Sequence, residues 1–84
     1  MYFVYLIQCG DGTFYAGIAK DVERRFLEHQ AGKGARYTRA RKVVKVLYAE
    51  KYNSVSGALK REAQIKGWRR EKKLNLIKFG KPII

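Results

Sequence analysis

Residues 2–18 read YFVYLIQCGDGTFYAGI. Their first part, YFVYLIQ, is dominated by aromatic and β-branched side chains, which suit a pleated, half-buried surface. Gly10, Asp11 and Gly12 break the run with turn chemistry, and Thr13 to Ile18 resume it. Two strand-like runs joined by a short glycine-bearing turn make a β-hairpin. Such a hairpin must cover its apolar side with whatever follows it.

The covering elements are legible downstream. Asp21 stands where a helix N-cap belongs, with Val22 to about Ala31 as the helix and Gly32 as its end. Residues 32–42, GKGARYTRARK, read as a glycine-bearing basic loop. Val43 to Tyr52 is a third strand whose apolar run predicts a central, well-buried position. Ser54 caps a second helix to about Lys66, Gly67 interrupts it, and a last helix spans about Arg70 to Phe79 before a tail with Gly80 and Pro82. The order ββαβαα predicts an α+β fold, a three-stranded mixed β-sheet with flanking helices. Residues 1–84 are read as a single domain, without internal repeats.

Composition sharpens this reading. A chain of 84 residues and 9.7 kDa has room for one small core, and a domain of this size buries only about 60–65% of its unfolded surface. With 46% hydrophobic and 13% aromatic residues it has the means to fold, and one proline argues against a disordered linker. No window approaches the roughly 18 apolar residues of a membrane span. The opening Met1-Tyr2-Phe3-Val4-Tyr5 lacks the basic start of a signal peptide, so a cytoplasmic, reduced protein, partly associated with nucleic acid at the nucleoid, is expected. Cys9, the sole cysteine, excludes a disulfide framework and a thiolate metal cluster.

Nineteen Lys and Arg against 7 Asp and Glu give a net charge of +12. Self-repulsion on that scale is naturally offset by a polyanionic partner. DNA is the expected one, with RNA the alternative. An anionic membrane is a weaker candidate, because no segment pairs a basic face with a long exposed apolar one. A merely soluble basic protein is the bland alternative.

Six of the seven acids have simple explanations: Asp11 in the turn, Asp21 in the cap, Glu23, Glu28 and Glu71 among basic neighbours, and Glu50 near the end of the third strand. Glu62 differs, because helical spacing puts it on one face with Val55 and Leu59, flanked by Ala58, Ala63 and Ile65. A carboxylate on a burying face needs a partner, such as an arginine, or a chemical job. In the first helix, Val22 and Phe26 define the inward face, and Arg25 and His29, one turn apart, share it. A guanidinium fork suits a phosphate, and an imidazole suits proton transfer.

Tyr5 and Tyr15 fall on adjacent strands, and each phenol can exchange a proton or hold a phosphate. Gly17 allows close approach to its backbone. Lys33, Arg36, Tyr37, Arg39, Arg41 and Lys42 form a basic surface with an interleaved aromatic, the composition of a phosphate-backbone contact; a solvated loop explains any one of them as well.

In order along the chain, Val4-Tyr5, then Tyr15-Ala16-Gly17, then Lys20-Asp21-Val22-Glu23-Arg24-Arg25-Phe26 with His29, resemble the GIY-YIG nuclease domain. Tyr37-Thr38-Arg39 and Leu59-Lys60-Arg61-Glu62-Ala63-Gln64-Ile65-Lys66-Gly67-Trp68 resemble later blocks of its small single-domain bacterial subfamily, the UPF0213-like proteins. The resemblance implies a metal-dependent endonuclease. It makes Tyr5, Tyr15, Arg25, His29 and Glu62 catalytic, Gly17 the motif glycine, and Glu62 the ligand of one Mg²⁺ or Mn²⁺ ion. Two departures stand out: Phe3-Val4-Tyr5 lacks the first motif's glycine, and Ala16 fills the middle of the second. Some members carry an asparagine after the glutamate helix, for which Asn75 is the candidate here.

Chemistry and resemblance agree on roles. On that resemblance Glu62 would hold the metal, Arg25 would stabilise charge on the phosphoryl group, Tyr5 with His29 would take a proton from water, and Tyr15 would position the phosphate. A phenol's ordinary pKa near 10 suits no base at neutral pH, so nearby cations are expected to lower that of Tyr5. Cleavage of DNA in repair or recombination is expected to follow structure rather than sequence, with a partner protein or a second copy of the chain providing targeting. The rival readings are a non-catalytic basic binding module and a subunit of a larger nucleic-acid-processing assembly.

Overall fold

The computed structural model describes residues 1–80. The hairpin is present: β1 (Tyr2–Cys9) and β2 (Phe14–Ala19) pair antiparallel, with Tyr5 opposite Gly17 and Ile7 opposite Tyr15. Its turn is fixed by Asp11, whose carboxylate accepts from the Thr13 amide and hydroxyl at 3.1 and 2.6 Å. Helix α1 (Val22–Gln30) starts as expected, the Asp21 carboxylate accepting from the Arg24 amide at 3.0 Å.

Three expectations change. The segment 32–42 is not a loop throughout, because Arg36–Arg41 forms a short helix, α2. It has no side-chain N-cap and no apolar stripe, so nothing local announces it, and packing against α1 sustains it. The third strand, β3 (Val43–Tyr52), lies at an edge, since the sheet order is β2-β1-β3. β1 is central instead: Val4, Tyr5, Leu6 and Ile7 are all buried. Its core run FVYLI carries no charge, whereas β3 carries Lys45, Glu50 and Lys51, and lysines are a common guard of sheet edges. The sheet is antiparallel throughout rather than mixed; β2 and β3 share a direction but are separated by β1.

Helices α3 (Val55–Lys66) and α4 (Arg70–Phe79) complete the α+β fold at the expected positions, and Pro82 lies outside the described residues. The Ser54 hydroxyl caps α3 by accepting from the Gly57 amide at 3.2 Å, and α3 ends on Gly67.

Strand alternation sends β1 side chains to two faces. On the first face Tyr5 and Ile7 pack with Val22 and Ala49, bordered by Tyr15 and Phe26, under α1. On the second, Val4, Leu6, Ala16 and Tyr48 pack with Ala58 and Ile65 of α3, bordered by Trp68 and Leu76. The two departures from the tyrosine motifs fit this division: Val4 and Ala16 fill the second-face core, and Phe3 borders the first, while the tyrosine positions are undisturbed.

Candidate active site

Tyr5 is the centre of a cluster drawn from four elements. Directly across the ladder stands Gly17, and a Cβ there would overlap the Tyr5 hydroxyl, so this pairing needs glycine. The Tyr5 oxygen lies 3.0 Å from Nε2 of His29, which α1 projects inward and which is only 2% exposed. Nδ1 of the same imidazole lies 2.7 Å from the Thr38 hydroxyl of α2.

Tyr15 sits at the middle of an aromatic fan. Its ring centre is 5.4 Å from that of His29, 6.5 Å from Tyr5 and 5.8 Å from Tyr37. The Arg41 guanidinium stacks 3.9 Å from the Tyr37 ring centre and pairs with Asp11 at 3.0 Å, which ties α2 to the hairpin turn. Arg25 is half-buried at the rim, 3.2 Å from Glu28. α3 belongs to the second face, yet it contributes here too: the Lys66 ammonium is 5.5 Å from the Tyr15 ring centre and 3.6 Å from the Glu62 carboxylate.

The electrostatics reverse one expectation. The Tyr5 phenol is pushed up to about 12, burial being the largest cause, with Tyr15 and Glu62 adding to it and the Arg25 guanidinium opposing. Cations near Tyr5 do not win over its desolvation. Burial, and then Arg25, hold His29 below its ordinary value, with Glu28 opposing, so the imidazole is neutral at neutral pH.

Glu62 reaches its position differently from the sequence reading. Val55 and Leu59, its apolar companions by helical spacing, are 42% and 47% exposed. The buried stripe of α3 is Ala58 and Ile65, and Glu62 lies on its shoulder with an 18% exposed side chain. The arginine that could have neutralised it, Arg61, turns to Glu50. Glu50 also accepts from Tyr48 at 2.6 Å and from Tyr52 at 2.8 Å. Burial would raise its pKa, but these bonds overcome that and hold it low.

Thus Tyr5, Tyr15, His29 and Tyr37 touch or stack, Arg25 and Glu62 lie close enough to Tyr5 to bias it, and Arg41 backs Tyr37. Lys33, Arg36, Arg39 and Lys42 are exposed around α2 and outside the stack. Asn75 does not join the cluster; it lines a separate hollow with Trp68, Lys72 and Phe79. Thr38 is fully buried against the imidazole, and its place in a polar run of the sequence gives no sign of that burial. Glu50 reads in the sequence as a strand residue, and the alternation of Tyr48, Glu50 and Tyr52 is the signal of their shared face.

For a metal ion, the donor set is sparse. Among the described residues no three His, Cys, Asp or Glu side chains meet, so no all-protein cage is formed. A half-buried carboxylate held, among the described residues, by one lysine at 3.6 Å suits a hard ion that keeps waters and takes its remaining ligands from a phosphate. Cys9 is buried and its thiol is pushed up by that burial, which makes it a packing residue.

The hairpin thus brings Tyr5 and Tyr15 to one face of the sheet, beside an arginine and a histidine one helical turn apart and a glutamate from a later helix. The chain belongs to the GIY-YIG family: residues 1–75 match the model of the GIY-YIG catalytic domain. Its similarities point to one branch. It is 48% identical over 79 residues to a UPF0213 protein of Staphylococcus epidermidis, covering 94% of this chain and 96% of the relative. It is 51% identical over 77 residues to one of Staphylococcus aureus, covering 92% and 94%. Among solved structures it resembles the solution structure of the UPF0213 protein of Bacillus halodurans, with TM-score 0.61, 36% identity and coverage of 95% and 86% of the two chains. It resembles equally a protein of E. faecalis, with TM-score 0.61, 39% identity and coverage of 92% and 82%. Family membership gives the coarse class, a nuclease acting on nucleic acid. Among the described residues no helix is long and apolar enough to cross a membrane.

Proposed function

We propose that the chain, acting as one domain, is a divalent-metal-dependent endonuclease that hydrolyses DNA phosphodiester bonds, chosen by structure rather than sequence, in repair or recombination. The observation that carries this is the convergence on Tyr5: a buried phenol–imidazole pair with an arginine at its rim and a lysine-held carboxylate beside it. A surface that only bound backbone phosphates would need cations and no buried relay.

The residues divide the reaction between them. Arg25 holds the phosphoryl oxygens and opposes the charge that grows on them. Glu62 holds one Mg²⁺ or Mn²⁺ ion, which when bound neutralises phosphate charge and favours ionisation of water. Tyr5 takes the proton of the attacking water while passing its own to Nε2 of His29, 3.0 Å away. The raised pKa of Tyr5 makes this partnership necessary, because a phenolate cannot persist alone at neutral pH. Tyr15, between Tyr5 and Tyr37, positions the phosphate, and solvent protonates the departing oxygen. Lys33, Arg36, Arg39, Arg41 and Lys42 track the flanking backbone around α2. A cytoplasmic setting suits an unpaired, buried Cys9.

The test is cleavage of single-stranded, nicked, flapped and branched DNA, with RNA controls, in EDTA, Mg²⁺ or Mn²⁺. Metal-dependent cutting that favours one DNA structure across unrelated sequences is expected. Binding without cutting on every substrate would establish the binding-module alternative.

A further inference from the structure

The direction of proton flow between Tyr5 and His29 depends on which ring nitrogen carries hydrogen, and the residue that decides this is Thr38. Its side chain is 0% exposed. Its hydroxyl donates to the Ala35 carbonyl at 2.9 Å and lies 2.7 Å from Nδ1 of His29. A hydroxyl has one hydrogen to give. With that hydrogen committed to a carbonyl, the Thr38 oxygen can only accept, so the ring proton sits on Nδ1. Nε2 of the neutral imidazole is then bare, and the Tyr5 O–H donates to it.

The opposite tautomer would place N–H against the Tyr5 oxygen. His29 would then be unable to receive the phenolic proton, and the Ala35 carbonyl would keep only the Arg39 amide, 3.0 Å away, as its donor. The surrounding chain reinforces the choice. Gly34 passes so close that a Cβ there would overlap Nδ1 of His29, leaving that edge to Thr38. Oriented imidazoles elsewhere owe their tautomer to the hydrogen bond on the far nitrogen in the same way.

We propose that Thr38 is a positioning residue that fixes His29 as the Nδ1–H tautomer, making Nε2 the proton acceptor for Tyr5. The role rests on the nuclease reading above, but its primary signature is independent of cleavage. In the catalytic step the Tyr5 O–H bond breaks, Nε2–H forms and the phenol oxygen binds the proton released by water. His29 becomes an imidazolium whose Nδ1–H remains bonded to Thr38, so every proton is accounted for.

Long-range ¹H–¹⁵N correlations of the His29 ring in the wild-type protein, without DNA or metal, test the assignment directly. Hydrogen on Nδ1 is expected; hydrogen on Nε2 overturns the proposal. Thr38→Val keeps shape but removes the acceptor, and Thr38→Ser keeps the hydroxyl. Thr38→Val should lose the uniform Nδ1–H signature and about 10–100-fold of the cleavage rate at unchanged DNA affinity, by analogy with outer-sphere partners of metal-bound histidines. Thr38→Ser should retain the tautomer and recover the rate to within about threefold, the residual loss of a small packing change. A Thr38→Val protein with wild-type tautomer and rate, or one that loses rate with its tautomer intact, overturns the role. If Thr38→Val fails to fold, the wild-type spectrum and the Ser variant decide the matter. Absence of cleavage by a wild-type protein that shows Nδ1–H would count against the nuclease reading alone.

Discussion

Two half-buried carboxylates, each with its tyrosines, lie toward opposite faces of one three-stranded sheet, and the two systems are built to different ends. On the second face Glu50 is saturated: Tyr48, Tyr52 and Arg61 all donate to it. On the first face the polar groups form a line, Thr38 to His29 to Tyr5, whose last hydroxyl faces Gly17 with Arg25 and Glu62 nearby. A closed network stabilises a fold because every group has its partner, while an open line can move a proton. Neighbouring residues on α3 serve the two systems separately, Arg61 locking the second face and Glu62 turning to the first.

This division predicts that damage on one face costs chemistry and on the other costs stability. The largest effect is expected for Tyr5→Phe, which keeps the ring and removes the hydroxyl: cleavage should fall about 10³-fold or more in single-turnover assays, with DNA affinity unchanged. Arg25→Ala should follow, losing about 10²–10³-fold in rate and some DNA affinity, both measurable on a labelled branched substrate. The matching lesion on the other face, Glu50→Gln, strands Arg61 beside two tyrosines. It should lower stability by about 3 kcal/mol in denaturant titrations, and the fraction that stays folded should cleave at nearly the normal rate. A normal melt for Glu50→Gln with lost cleavage would break the comparison.

Acid should separate the faces as well. His29 has a lowered pKa in the fold, so the unfolded chain binds the proton more readily. Its contribution to stability is therefore present above about pH 6.5, the ordinary value, and is lost as pH falls through the lower folded value. Glu50 is also lowered, so its contribution persists further and disappears only as pH falls below the ordinary carboxylate value of 4.5. Thermal melts across this range should show two successive declines, and His29→Gln should remove the first. The smallest effect concerns binding. Arg36→Ala with Arg39→Ala should reduce the slope of log affinity against log salt by about 2, whereas Lys72→Ala with Lys78→Ala on α4 should leave it unchanged.

Much of this architecture is legible in the residues themselves. The hairpin, the Asp21 and Ser54 caps and the Gly67 break are local signals, and local chemistry decides them. The inward pairing of Arg25 and His29 follows from helical spacing alone. What stays hidden is what tertiary contact decides. β3 looks central because VVKVLYA is apolar, but which strand is flanked on both edges is a matter of topology. The helix at Arg36–Arg41 exists through its packing, with Thr38 buried against an imidazole that no local pattern places there. Helical spacing marks Glu62 through Val55 and Leu59, yet both turn outward, because a helix can cover the sheet at an angle that spacing does not reveal. The tyrosine's elevated pKa was likewise concealed, since a count of nearby cations omits the cost of desolvation.

Glu62→Gln tests the central claim most directly, because it keeps the side chain's volume and removes only its charge. Single-turnover cleavage of one branched or nicked DNA in Mn²⁺ should fall at least about 10²-fold relative to wild type, with DNA affinity and melting temperature retained. Equal cleavage by the two proteins would contradict the account, and would remove Glu62 from the chemistry.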